Sequence, residues 1–390
     1  MAAPEKPKEY PTGIGEEFQK ERGKETLPAV EVKNTVIWVN PAFQESMPYR
    51  LEIGKSTPLG IFFTPGPWGE NVGKIRRPII MPESQGGRSG LLGSAVFKDA
   101  EGGLYRDIDV KGIGFFRTAD KVDKEGRDEG EYYYRVGPIH KNLVRDELLG
   151  ILDYQWAIKD RNGAEKLLRI GVRAHRVLAL VDLEEIVEES GETITVEEAK
   201  RRKILDPESR PVVSVRAFGT KERVEYLYER KHGLNPRERQ KKSLEDAKAL
   251  VAQELNEDPH KFSYLEYAEW FAEIIGKQIA LLRKARLSHG FLNPHNITLD
   301  CRIVDLDSLA TVEERIDELK NDTGEREAYQ LFGTNIKEDK LYERDLNSAK
   351  ETLKNLFRRI KDLTGEITLL EKHHIAKVFN TAYNKELNNK

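Results

Sequence analysis

His289-Gly-Phe-Leu-Asn-Pro-His-Asn-Ile-Thr-Leu-Asp-Cys-Arg-Ile-Val-Asp305-Leu-Asp307 is the stretch of the sequence with the most distinctive pattern of polar residues. Its second half predicts two short strands around an Asp300-Cys301 turn. Asn296 and Asp305 lie on either side of this ribbon, nine residues apart, so a hairpin would bring both to one end. A hard cation such as Mg²⁺ takes few protein oxygens and completes its shell with phosphate oxygens. The stretch therefore predicts a metal and phosphate site, the alternative being a loop in which both side chains bind only backbone.

Much of the chain before this stretch has sequence patterns typical of β-strands. Residues 1–34 are charged and rich in proline, which predicts a flexible tail. Short β-branched and aromatic runs predict strands within 35–136 and again at Val177–Val181 and Pro211–Phe218. The charged residues 182–210 between the last two strands predict an exposed excursion.

Helical periodicity marks the rest of the chain. A run from Leu143 to Trp156 predicts a helix that Asn162-Gly163 ends. Ser263-x-x-Glu266 is a capping-box pattern that opens another helix. Further helices are predicted near 311–320, 342–363 and 367–387.

This order of elements predicts an α+β fold with two lobes. After the tail, residues 35–215 form a β-rich N-terminal lobe that includes one helix, and residues 216–390 form a helical C-terminal lobe that contains the segment 289–307. A cleft between two lobes is a usual place for a ligand.

Composition excludes several classes of protein. The 390 residues include 64 Lys+Arg and 67 Asp+Glu, a net charge of −3, which argues against a polybasic nucleic-acid binder. Cys301 is the only cysteine, so neither an intrachain disulfide nor a cysteine-rich zinc site is possible. The sequence lacks an apolar run long enough to span a membrane, and its start lacks a secretory signal pattern. We expect a cytoplasmic protein that binds neither membrane nor nucleic acid; the oligomeric state is left open.

Residues 289–307 resemble the catalytic loop and metal-binding segment of the protein-kinase superfamily. The resemblance matches His289 to the loop histidine, Asn296 to the metal-binding asparagine and Asp305 to the metal-binding aspartate. Kinases have a catalytic aspartate two residues after the histidine, where this chain has Phe291. Phenylalanine cannot accept a proton, so the chain lacks the usual general base.

The SelO (selenoprotein O) pseudokinases share this departure. Their loop has the form His-Gly-(apolar)-(apolar)-Asn-Thr-Asp-Asn, followed by Asp nine residues after the second Asn, and residues 289–305 are similar to it. That family binds ATP in a reversed orientation and transfers AMP to protein hydroxyls. The resemblance therefore implies a kinase-like fold, ATP and Mg²⁺ (or Mn²⁺) as cofactors, and a protein substrate with a Ser, Thr or Tyr hydroxyl.

Further segments are similar to the same family. Asp109-Val-Lys-Gly-Ile-Gly114 implies that Lys111 contacts phosphate, and the strand at Val177–Val181 follows Arg176 as in the family. Arg216 and Arg223 are seven residues apart, like two arginines that bind phosphate there. A triphosphate whose leaving group is pyrophosphate needs several such cations.

Two further site residues are expected. Gly90, in the glycine-rich run 86–93, is expected over the nucleotide, although a plain hairpin is the alternative. The acidic partner of the strand lysine is Glu147 or Asp146, and the longer Glu147 is preferred.

The general base is the main departure from the family. His295 occupies the position of the family's proposed base, and imidazole can act as a base near neutral pH. Asp307 is a second candidate. The alternatives are a catalytically inactive nucleotide-binding scaffold or sensor and, third, a phosphotransferase.

Overall fold

The computed structural model describes residues 26–43, 50–63, 77–80, 87–98, 103–119, 131–133, 150–188, 191–228, 236–321 and 338–389. In these ranges the architecture is mixed α and β, with a β-rich region and a helical region, in agreement with the predicted class. The chain divides into two compact units. The first comprises Met1–Ile158, Arg176–Gly219 and Arg230–Pro236, and the second comprises Lys159–His175, Thr220–Glu229 and Arg237–Lys390.

The first unit is built on one large antiparallel sheet. The strands of the described chain up to residue 218 are β1 (Thr26–Glu31), β2 (Asn34–Val39), β3 (Ile61–Phe63), β4 (Arg77–Ile80), β5 (Gly87–Lys98), β6 (Leu104–Ala119), β7 (Glu131–Tyr133), β8 (Leu152–Asp153), β9 (Arg176–Leu183), β10 (Glu185–Val187), β11 (Thr193–Thr195) and β12 (Pro211–Phe218). The order in the sheet is β2-β9-β12-β6-β5-β4-β1-β3, with β7 on β6 and β8 on β12. The central strands β9 and β12 are rich in valine and almost fully buried, as expected for β-branched residues inside a sheet.

Two predictions in this unit were wrong, and a third stays open. Residues 26–34, expected to belong to a flexible tail, are folded: Thr26–Glu31 pairs with β3 and β4 and carries the buried Ala29 and Val30, and β2 begins at Asn34. Residues 1–25 lie outside the described residues. Most of the glycine-rich run lies in strand β5, which pairs with β6, and the position of Gly90 over a nucleotide stays a prediction. The excursion after β9 is folded: the β10–β11 hairpin and helix α2 (Val196–Arg201) bury apolar residues that alternate with the charges.

The second unit is mainly helical. Its helices are α1 (Tyr154–Arg169, which starts in the first unit), α3 (Pro236–Glu254), α4 (Tyr264–Lys284), α5 (Val312–Asn321), α6 (Glu338–Thr364) and α7 (Leu369–Asn388). The short strands β13 (Leu287–Ser288) and β14 (Ala310–Thr311) pair with each other. No helix of the described ranges is long and apolar enough to cross a membrane.

Helix α4 is the central helix of this unit. It begins with the predicted capping box, in which Ser263 Oγ accepts from the Glu266 amide and the Glu266 carboxylate accepts from the Ser263 amide. Its buried face packs against α7, and at Gly276 the two helices are so close that a Cβ would lie 2.6 Å from the Phe379 carbonyl oxygen.

Helix α1 differs from its prediction. It continues through Asn162-Gly163, where the sequence had predicted an end. Gly163 lies against Leu306, whose carbonyl oxygen would be only 3.0 Å from an added Cβ. The glycine is therefore a point of close approach within the helix. The part of the predicted helix that precedes residue 150 lies outside the described residues.

Candidate functional site

The loop that follows β13 is held by one buried carboxylate. Asp345, on α6, accepts three hydrogen bonds: from Ser288 Oγ at 2.9 Å, from the His289 amide at 3.1 Å and from the Gly290 amide at 2.9 Å. Asp345 is only 3% exposed, and burial raises its pKa. These bonds fix the start of the loop to a long helix of the same unit. Sequence reasoning had not identified Asp345.

The His289 side chain is buried and hydrogen-bonded to the backbone. It is fully buried, and its Nε2–H donates to the Val304 carbonyl at 3.0 Å. Burial lowers the pKa of His289, because an imidazolium would lose its hydration there. His289 thus ties the start of the loop to the return strand, one residue before Asp305.

The two predicted metal ligands lie on facing arms of the ribbon. The Val304 amide donates to the Asn296 carbonyl at 3.0 Å, which places Asn296 next to the residue before Asp305. Asp305 has a left-handed backbone (φ 65°, ψ 51°), and Ser308 Oγ donates to its carbonyl at 2.9 Å. The predicted two-stranded ribbon is present only as a single bridge between Ile297 and Ile303.

Asn296 has an unsatisfied acceptor. Its Nδ2 donates to the Phe291 carbonyl at 2.9 Å, so Oδ1 points away from that carbonyl. Oδ1 is buried and has no hydrogen-bond partner among the residues that the structure describes. A buried acceptor without a partner is costly unless a ligand satisfies it. An amide oxygen and a carboxylate are ligands that Mg²⁺ and Mn²⁺ accept, so the donor set fits such an ion. The described residues contain no group of three or more His, Cys, Asp and Glu side chains arranged to hold a metal.

His295 and Arg223 meet in the second unit. Arg223 donates from its guanidinium to the His295 carbonyl at 2.7 Å. The His295 Nδ1 lies 2.5 Å from Glu225 Oε2, and this hydrogen bond lowers the pKa of Glu225. Phe291, two residues after His289, lies under the Arg344 guanidinium at 4.8 Å.

Lys111 and Arg216 belong to the first unit, on neighbouring strands. In the register of β6 and β12, Lys111 lies opposite Ser214 and Asp109 lies opposite Arg216. The Arg216 guanidinium donates two hydrogen bonds to the Asp109 carboxylate, at 2.9 and 2.7 Å, and both side chains are almost fully buried. Asp109, two residues before Lys111, therefore binds one of the two arginines that the resemblance assigns to phosphate.

Gly90 is buried in β5, opposite Val110. Glu147 and Asp146 lie outside the described residues, so the acidic partner of Lys111 stays a prediction. Asn296, Asp305, His295 and Arg223 lie in the second unit, whereas Lys111, Arg216 and Gly90 lie in the first.

A second buried carboxylate, Asp160, was also missed by sequence reasoning. It lies on α1, is fully buried, and accepts from the Leu306 amide at 3.0 Å. Its other oxygen lies 3.2 Å from Nε2 of the buried His175. Asp160 therefore holds the backbone directly after Asp305. The signal that could have revealed it is its position on the apolar stripe of α1, between the buried Ala157 and Ala164.

Comparison with known proteins gives little further information. No protein-family model matches the sequence, and no curated protein matches it significantly. Among solved structures, the chain is similar to the crystal structure of a Toxoplasma gondii specific rhoptry antigen kinase domain, at 8% identity and a TM-score of 0.34. The match covers 96% of this chain and 88% of that one. A likeness of this size does not define fold or function.

Proposed function

We propose that this protein has a kinase-like fold of the SelO type, binds ATP with Mg²⁺ or Mn²⁺, and transfers AMP to a Ser, Thr or Tyr hydroxyl of a protein. The observation that carries the proposal is the buried, unpartnered Oδ1 of Asn296, whose backbone pairs with the residue before Asp305, within a segment whose sequence resembles that family. A cation bound at this position would give the buried amide oxygen the partner that it lacks.

Each residue has a role in the proposed reaction. Asn296 and Asp305 would hold the metal ion, which supplies charge neutralisation to the phosphates when bound. The substrate hydroxyl attacks the α-phosphorus of ATP, and the bond from that phosphorus to the bridging oxygen breaks to release pyrophosphate. His295 takes the hydroxyl proton, since Phe291 cannot accept one.

The remaining contacts of the nucleotide follow from the resemblance. Lys111, with Glu147, would contact phosphate, and Gly90 would lie over the nucleotide. Arg216 and Arg223 would bind the outer phosphates. Because Asp109 already binds Arg216, a phosphate that reaches this arginine competes with a buried carboxylate.

A second candidate function is a nucleotide-binding scaffold or sensor without catalysis. Two observations favour it: Phe291 occupies the place of the kinase base, and Arg216 is engaged by Asp109. A phosphotransferase is a third reading, in which another group replaces the missing base.

Labelled ATP separates the three. The protein is incubated with Mg²⁺ and a mixture of candidate protein substrates, once with α-³²P-ATP and once with γ-³²P-ATP. AMP transfer predicts α-label on protein, lost in Asp305→Asn and retained in Asp339→Asn, an exposed aspartate of α6. Transfer of γ-label alone would instead establish the phosphotransferase. Binding of ATP with no label in either arm would establish the scaffold.

A further inference from the structure

The segment 222–225 lies antiparallel against 294–299 within the second unit. Three backbone hydrogen bonds join them, from Leu299 N to Glu222 O at 2.7 Å, from Val224 N to Ile297 O at 3.0 Å and from Glu225 N to Pro294 O at 3.0 Å. A further bridge joins Arg223 and Thr298. The backbones that carry Glu225 and His295 are therefore fixed with respect to each other.

On this frame the His295 ring has a defined partner. Its Nδ1 lies 2.5 Å from Glu225 Oε2, and its carbonyl accepts from Arg223 at 2.7 Å. The two side chains of the pair are 45% and 41% exposed, so the ring is not part of the core. A carboxylate that accepts Nδ1–H determines which ring nitrogen keeps its proton and leaves Nε2 as the acceptor.

We propose that Glu225 is a positioning residue for His295, holding the ring in the Nδ1–H tautomer with Nε2 turned toward the substrate hydroxyl. The inference rests on the proposed function, in which the hydroxyl proton passes to Nε2 as the oxygen bonds to the α-phosphorus and pyrophosphate leaves. The division of roles is that of a base and the carboxylate that orients it. Glu225 and His295 are 70 residues apart, so the sequence alone does not indicate this contact.

A purely structural role for the pair predicts a different outcome. A hydrogen-bonded side-chain pair this exposed contributes little to stability. Replacing Glu225 should therefore leave the fold intact while changing the state of the His295 ring, which makes the two roles separable.

The test uses the full chain labelled with ¹⁵N at histidine, as wild type, Glu225→Ala and Glu225→Gln, at one pH at which the imidazole is neutral. His295→Gln identifies the His295 signals. We expect the Nδ1–H tautomer in wild type, a shift toward Nε2–H in Glu225→Ala, and partial retention in Glu225→Gln, whose amide oxygen can still accept. The matched control is Glu269→Ala, which removes the partner of another half-exposed imidazole, His374, and should leave His295 unchanged.

Rates of AMP transfer are measured on the same proteins. Glu225→Ala should lower kcat on the order of 10-fold or more, with KM for ATP little changed, and Glu225→Gln should recover part of it. The same His295 tautomer in wild type and Glu225→Ala, or a tautomer change with unaltered kcat, would overturn the inference. If no variant, wild type included, transfers AMP but the tautomer still shifts, the contact is upheld and the proposed function is what fails.

Discussion

Replacing Asp345 tests how the loop of the candidate site is held. The carboxylate is 3% exposed and accepts from Ser288 Oγ and from the amides of His289 and Gly290. Asp345→Ala leaves three buried donors without an acceptor, each costing roughly 1–3 kcal/mol. The wild-type protein already bears the cost of a buried charge, which raises the pKa of Asp345, so the net loss is smaller than the sum. We expect Asp345→Ala to lower the free energy of unfolding by about 3–5 kcal/mol, the larger part of the cost of three unpaired donors.

Two further variants make this prediction specific. Asp345→Asn keeps one acceptor oxygen but points an amide donor at the loop, so it should cost about 1–3 kcal/mol. Asp339→Asn, on the same helix and 78% exposed on its side chain, should change stability by less than about 0.5 kcal/mol. Urea unfolding followed by circular dichroism measures all three. An Asp345→Ala protein as stable as Asp339→Asn would refute the view that Asp345 anchors the loop.

Three other predictions concern stability. Burial lowers the pKa of His289 below its ordinary 6.5, so as pH falls the unfolded chain binds a proton at this residue before the folded chain does. The contribution of His289 to the free energy of unfolding should therefore rise between about pH 5 and pH 7, while the raised pKa of the neighbouring Asp345 acts in the opposite direction. His289→Gln should remove the His289 contribution, and parallel urea-midpoint curves for the two proteins would contradict this. Asp109→Asn should lower the free energy of unfolding by about 3–5 kcal/mol, because the buried Arg216 charge loses its carboxylate. Adding Arg216→Met to this variant should restore much of that free energy. Chemical denaturation of the single and double variants shows whether it does. Gly276→Ala should destabilise by about 2 kcal/mol despite the better helix propensity of alanine, since its Cβ would lie 2.6 Å from the Phe379 carbonyl; a rise in melting temperature would show that the two helices separate freely.

Elements that depend on local pattern could be predicted from the sequence. Pro211–Phe218 is a strand as its β-branched residues indicate, and the helix after Ser263 starts at its capping box. Elements that depend on tertiary contacts could not. Thr26–Glu31 is a strand because β3 and β4 flank it, and α1 passes Gly163 because Leu306 packs there.

The residues of the candidate site also fall into those with a local sequence signal and those that depend on contacts with distant parts of the chain. The placement of Asn296 and Asp305 on facing arms could be predicted because their spacing across one ribbon is local, and their role as metal ligands stays a prediction. Asp160 and Asp345 could not, since each acts on backbone far away in the chain, 146 residues away for Asp160 and 55 for the Gly290 amide. Both are carboxylates on the buried face of a helix, a position where an unpaired charge would be very costly. A carboxylate on an apolar helical stripe is thus the sequence signal that was overlooked.

Calorimetric titration of ATP tests most directly whether residues 289–307 form a metal and nucleotide site. The titration is made with and without Mg²⁺ on wild type, Asp305→Asn and the exposed control Asp339→Asn. We predict binding that requires Mg²⁺ in wild type and in the control, and an affinity at least about 10-fold weaker in Asp305→Asn, because removing a charged metal ligand costs more than about 1.4 kcal/mol. ATP affinity that is the same in all three proteins and unaffected by Mg²⁺ would contradict the account.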